Sequence, residues 1–168
     1  MVEKKAIGSA RILTQVNHRY IYTQPWTIFF KLIKDNVTDP KAREKLWVYG
    51  SQPKYIIEEN DDSGLAENYP VIVLPNIEVS GQTNFTLNYS AKEYLPMITI
   101  EIFSDRNDYL DTISNDIHQI ILDNETFFSS IGIYNVRITN DNVSPLTRNG
   151  LKIFHRMVGI TFEVATCQ

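Results

Sequence analysis

The stretch Met97-Ile98-Thr99-Ile100-Glu101-Ile102-Phe103 constrains this chain most, because it alternates with period two and then passes, without a Gly or Pro break, into helical spacing. In a strand, residues i, i+2 and i+4 share a face, so Ile98, Ile100 and Ile102 belong to one side. Beyond Ser104, the residues Tyr109, Leu110, Ile113, Ile117, Ile120 and Ile121 form a single apolar stripe, which predicts an amphipathic helix over about 105–124. Ser104 is placed as its N-cap, and Asp105, Asp108 and Asp111 put negative charge near the positive end of the helix dipole. A helix with one stripe must bury it, and a strand running straight into that helix supplies the surface.

The remainder of the chain fits around this unit. Residues 1–24 show no sustained period and are read as an N-terminal arm, with residues 25–168 as a single α+β domain. Trp26, Phe29, Phe30, Ile33 and Val37 fall at helical spacing behind Pro25, giving a short helix over about 25–36. Asp39-Pro40 is a cap-then-proline signal for one or two further turns through Leu46. Tyr55-Ile56-Ile57 is read as a short strand, and the acidic run from Glu58 to Gly64 as a loop. Val71-Ile72-Val73-Leu74, apolar on both sides, is a covered strand ending near Pro75. Gly81 to Asn84 is taken as a turn before a strand with Phe85, Leu87 and Tyr89 on one face. Tyr134, Val136 and Ile138 mark another strand, then comes a loop through Asn140-Asp141-Asn142 and from Pro145 to Gly150. The last strand carries Phe154, Val158, Ile160, Phe162 and Val164 on one side. The fold expected is α+β: a mostly antiparallel sheet with one long amphipathic helix packed on a face, plus the arm and the short helix.

Composition removes several function classes. A chain of 168 residues suits one domain with a real core. A formal charge of -4 lacks the basic footprint that drives binding to nucleic-acid phosphates. No apolar run approaches a signal-peptide core or a membrane span, so the expectation is a protein made and kept inside a cell. The sequence has one cysteine, Cys167, which excludes an internal disulfide and a thiolate-rich metal site. Asn-x-Ser/Thr sequons at Asn36, Asn84, Asn88, Asn124 and Asn142 are attributed to the abundance of asparagine.

Few residues invite chemistry. Asp105, Asp108 and Asp111, with Glu101 before them, form the one candidate for a metal or acid-base cluster, but dipole complementarity and solubility account for them better. His18, His118 and His155 have no partner at ligand spacing; His118 is expected to be solvated, and His155 to point away from the apolar face. Arg137, Arg148, Lys152 and Arg156 fall close together in sequence and could face DNA or an acidic partner, or be a solvated sheet face. Trp26, Phe29 and Phe30 could be a sticky patch or plain core. Phosphate-cradling glycine loops and nucleophile elbows are missing. No residue is assigned as catalytic, cofactor-binding or metal-ligating. An irregular arm and strand edges needing cover point instead to association.

From about Tyr69 to Val164 the chain resembles the tail-terminator (tail-completion) proteins of tailed bacteriophages. The likeness is carried by Tyr69-Pro70-Val71-Ile72-Val73, by Ile98-Thr99-Ile100-Glu101-Ile102-Phe103-Ser104 running into the amphipathic helix, by Ile133 to Ile138, and by Ile160-Thr161-Phe162-Glu163-Val164. It covers a little over half the chain, and residues 1–58 lie outside it. The resemblance implies a structural virion protein, not an enzyme, that forms a homo-oligomeric ring, typically a hexamer, with no cofactor. Such a ring terminates the tail tube and joins the tail to the head. Its implied partners are further copies of itself, the tail-tube protein and the head-tail connector protein, with at most transient contact with DNA in the lumen and none with a membrane. Its implied place is the virion's head-tail junction, reached from the host cytoplasm. The alternatives are a tail-tube protein, a small metal-dependent hydrolase using the cluster near Asp105, and a generic adaptor domain.

Overall fold

The computed structural model describes residues 23–58, 65–75, 77–84, 91–140 and 143–167. Their architecture is α+β, with helices on a mixed, mostly antiparallel sheet. Two long strands, β4 (Ala91–Ser104) and β7 (Leu151–Cys167), pair antiparallel from Ala91 opposite Cys167 to Ser104 opposite Phe154 and form the spine. The outer side of β4 takes β3 (Glu78–Asn84) along its first half and β2 (Val71–Val73) along its second. The two-residue β1 (Val48–Tyr49) lies parallel to β2. The outer side of β7 is likewise divided, between β6 (Ser144–Arg148) and β5 (Ile133–Asn140).

Period two distributes the spine's side chains over two cores. Ile98, Ile100 and Ile102 of β4, with Val158, Ile160, Phe162 and Val164 of β7, face the helices α1 (Thr23–Asn36), α3 (Asn107–Asp123) and α4 (Glu125–Ser130). On the other face Phe103 and Ile153 join Ile56, Tyr69, Val71 and Val73 in a smaller core, over which α2 (Lys54–Ile57) lies. The covered strand expected at Val71–Leu74 follows from this arrangement: Ile72 and Leu74 enter the large core, Val71 and Val73 the small one.

The helical layer is broader than one long helix. In α3, Leu110, Ile113, Ile117 and Ile121 are buried as the stripe requires. Beside it α1 buries Phe29, Leu32 and Ile33, with Phe29 stacked on Phe128 of α4 at 4.9 Å between ring centroids. The anticipated helix start at Pro25 is two residues late, since α1 begins at Thr23 inside the proposed arm. Ser104 does not cap α3. It is fully buried as the last residue of β4, and its hydroxyl accepts the Arg106 N–H at 3.1 Å, a local turn that delays the helix to Asn107.

Four further elements differ from expectation. Residues 40–46 form turns and bends, not helix, because Asp39 accepts the Lys41 and Arg43 N–H groups and holds the chain in a tight loop. Tyr55-Ile56-Ile57 is one helical turn after Pro53; a three-residue apolar run has no period to separate the two states. Gly81 to Asn84 belongs to β3. The segment from Pro145 to Gly150 holds a strand, β6, joined to β7 by Asn149-Gly150, both with positive φ (46° and 73°) as a two-residue hairpin turn demands. The strand proposed at Phe85, Leu87 and Tyr89, the acidic loop beyond Glu58 and nearly all of the arm lie outside the described residues.

Candidate functional site

The acidic residues are not brought together as a site. The Asp105 carboxylate meets Lys41 Nζ at 2.8 Å, Asp108 meets Arg106 at 2.6 Å, and Asp111 meets Arg156 at 2.8 Å. Each carboxylate therefore has its own cation, in three different directions. The Arg106 hydrogen bond is the main reason that the Asp108 carboxyl is held below its ordinary value. Glu101 lies on the opposite face of the sheet, where it accepts from Gln52 Nε2 at 2.8 Å and stands 3.4 Å from His155 Nε2. No group of three or more potential metal ligands converges among the described residues.

The four cations of the C-terminal third are scattered too. Arg156 points to the helical layer, where it also donates to Ser114 Oγ at 3.2 Å. Arg148 Nε donates to the Ile56 carbonyl at 2.7 Å and ties β6 to α2. Lys152 lies over the Phe154 ring, and Arg137 is exposed on β5. Lys152 and Arg156 share one face of β7, while Arg148 and Arg137 stand opposite Leu151 and Thr161 of the other face, so closeness in sequence does not become a basic patch. Phe29 is core, while Trp26 stacks on Phe30 and donates its indole N–H to the Pro75 carbonyl at 2.8 Å. His155 does point away from the large core, yet it is half-buried there against the Phe103 ring, 4.4 Å between centroids. His118 is half-buried rather than solvated.

A clamp around Arg43 had no place in the sequence reading. Its guanidinium grips Asp39 through Nε (2.7 Å) and Nη2 (3.2 Å), and donates to the carbonyls of Glu67 (3.2 Å), Asn68 (2.9 Å) and Pro70 (2.7 Å). Burial pushes the Asp39 carboxyl up, but Arg43 and the two backbone N–H groups outweigh it and hold the carboxyl below its ordinary value. The Asp39-Arg43 spacing of four residues was the available signal, but it reads as an ordinary surface pair. The clamp fastens the 39–47 loop to the entry of β2 and has a structural role.

What the fold leaves exposed is edge and groove. Among the described residues β3 pairs only with β4 and β5 only with β7, so both have an outer row of unpaired backbone groups. The sheet face away from the helices exposes Leu95, Tyr134 and Met157 on adjacent strands β4, β5 and β7. On the helix side of β5, a groove of about 260 Å³ is lined by His118, Ile121, Leu122, Glu125, Val136 and Ile138. Leu122 is 63% exposed at its rim, next to the buried stripe but outside it. No described helix is long and apolar enough to cross a membrane. A scan against protein-family models finds no match for this chain, and a search of curated proteins finds no relative.

Proposed function

We propose that this chain is a structural, non-enzymatic virion protein whose copies close into a ring, of the kind that terminates a phage tail tube and joins it to the head. The observation that carries the reading is a sheet left open, among the described residues, on both sides at the same level. The β4 residues Lys92 to Met97, which pair with β3, lie opposite Thr161 to Thr166 of β7, and β5 pairs along Val158 to Val164. A copy therefore offers two different unpaired edges, and a contact between unlike surfaces repeats around an axis until it closes or grows without end. A terminator must close. In this reading α3 is the one long amphipathic helix of the terminator architecture, with α1 packed beside it, and a hexamer, the tail-tube protein and the connector protein are the partners implied by the resemblance. The three carboxylates near Asp105, each paired with a separate cation, give the hydrolase alternative no common centre.

Native mass spectrometry and electron microscopy of the purified full chain test the reading. One closed oligomer is expected. Open tubes of indefinite length would transfer the assignment to a tail-tube protein, and a monomer at every concentration, even with tail tubes supplied, would defeat both.

A further inference from the structure

The groove beside β5 has a specific occupant. We propose that residues 1–22 of one copy dock in this groove of a neighbouring copy. The proposal rests on the self-assembly reading and adds to it the segment that makes the contact. Two features of the groove select a chain segment rather than a sheet edge. It lies on the helix side of β5, between that strand and the α3–α4 junction, where a continuing sheet would not reach. Its lining is largely apolar, from Ile121, Leu122, Val136 and Ile138, and carries one carboxylate, Glu125, at the start of α4.

The arm complements both properties. Residues 1–22 hold Lys4, Lys5, Arg11 and Arg19 against Glu3 alone, whereas the rest of the chain has 12 cations and 19 carboxylates. A positive arm on an otherwise negative body is attracted to a groove that carries the Glu125 carboxylate. Ile12, Leu13 and Val16 supply apolar side chains for the groove's apolar lining.

In a head-to-tail ring, the place where the arm begins leads it to a neighbour. Trp26 donates to the Leu74 and Pro75 carbonyls, which fixes the start of α1 on the β2 side of the sheet. The groove is on the β5 side, three strand spacings or roughly 14 Å away across the helical layer. Extended, 22 residues span up to roughly 70 Å, ample to pass to the next copy. In a head-to-tail ring the β2–β3 side of one copy meets the β5 side of the next, so the arm leaves where the neighbouring groove opens.

The test mixes nitrogen-15-labelled and unlabelled full chains, couples touching amines and carboxylates with a zero-length carbodiimide, and reads the linked peptides by mass spectrometry. Links from Lys4 or Lys5 to Asp123 or Glu125 are expected, with both isotopes in one linked pair. Leu122→Lys combined with Glu125→Lys alters only exposed side chains; it should abolish these links and raise the concentration needed for association roughly tenfold. Links confined to single copies would overturn docking on a neighbour. Closed rings with no link from the arm to this groove would overturn the arm's place and leave the ring standing. Mixed-isotope links in a population that never closes would support the docking site and defeat the ring.

Discussion

Replacing Arg43 by alanine should destabilise this protein more than any other single change outside the apolar cores. The side chain is 11% exposed and its Asp39 partner 6%, so the pair is shielded from water. Removing one member of such a pair strands the other, at a cost of about 3–5 kcal/mol. The lower end applies, since the backbone N–H groups of Lys41 and residue 43 would still bond Asp39. With a urea dependence of roughly 2 kcal/mol per molar for a chain of this size, about 3 kcal/mol moves the unfolding midpoint down by ~1.5 M. Lysine keeps the charge but not the planar fork that spans Asp39 and three carbonyls, so Arg43→Lys should lose about 1–2 kcal/mol. The pH dependence has a definite sign. A carboxyl held below its ordinary value, as Asp39 is, stabilises the fold above the unfolded pKa of about 3.9 and loses that contribution as pH falls through the folded value. The gap between wild type and Arg43→Ala should therefore be widest near neutrality and shrink in acid. Urea titrations at one protein concentration, at neutral pH and below about pH 4, measure both quantities. A midpoint unchanged by Arg43→Ala, or a gap that widens in acid, would refute the clamp.

Three other perturbations address the rest of the molecule. Ile117, fully buried in α3, should lose about 2–5 kcal/mol as Ile117→Ala, and an unchanged melting temperature for Ile117→Asp would show that α3 does not face the sheet. At Gly159 an added Cβ would stand 2.8 Å from Thr139 Oγ1, so Gly159→Ala should cost about 1–3 kcal/mol in thermal or urea unfolding and be relieved by Thr139→Ala. If Gly159→Ala alone matched the wild type, β5 would not approach β7 as closely as described. Asp105, Asp108 and Asp111 replaced together by Asn should leave far-ultraviolet circular dichroism and the oligomer in place; a metal-dependent hydrolysis present in the wild type and missing from this variant would defeat the non-enzyme reading.

Sequence pattern revealed those parts of the fold in which one period governs a long run of residues. Ile98, Ile100 and Ile102 could only share a face, and the stripe from Leu110 to Ile121 could only be helical, so β4 and α3 were legible. Short segments were not. Tyr55 to Ile57 took a helical turn because Ile56 is buried with Tyr69 and Val71 in the small core, a tertiary gain that no local period records. At β6 the hairpin signal Asn149-Gly150 was present, yet Pro145 argued against a strand; it is tolerated because β6, among the described residues, is an edge strand paired only with β7. Ser104 shows a third kind of miss: its residue type suits a cap, but pairing with Phe154 keeps it in the strand and moves the helix start along the chain.

The surfaces proposed for assembly were expected in kind and not in place, for a physical reason. An edge is defined by what does not pair with it, and only the full register shows that β3 and β5 finish the sheet at the same level on opposite sides. Leu122, which the sequence reading did not single out, extends the α3 stripe beyond the arc that one sheet can cover. Its neighbours in the groove, Val136 and Ile138, looked like ordinary core residues of a strand and are only half-buried. Apolar residues left half-covered on a strand with an outer edge unpaired among the described residues, beside an exposed leucine, would be stabilised by contact with a second chain, as the proposed ring requires. That is the same requirement a ring-forming protein meets by closing on itself.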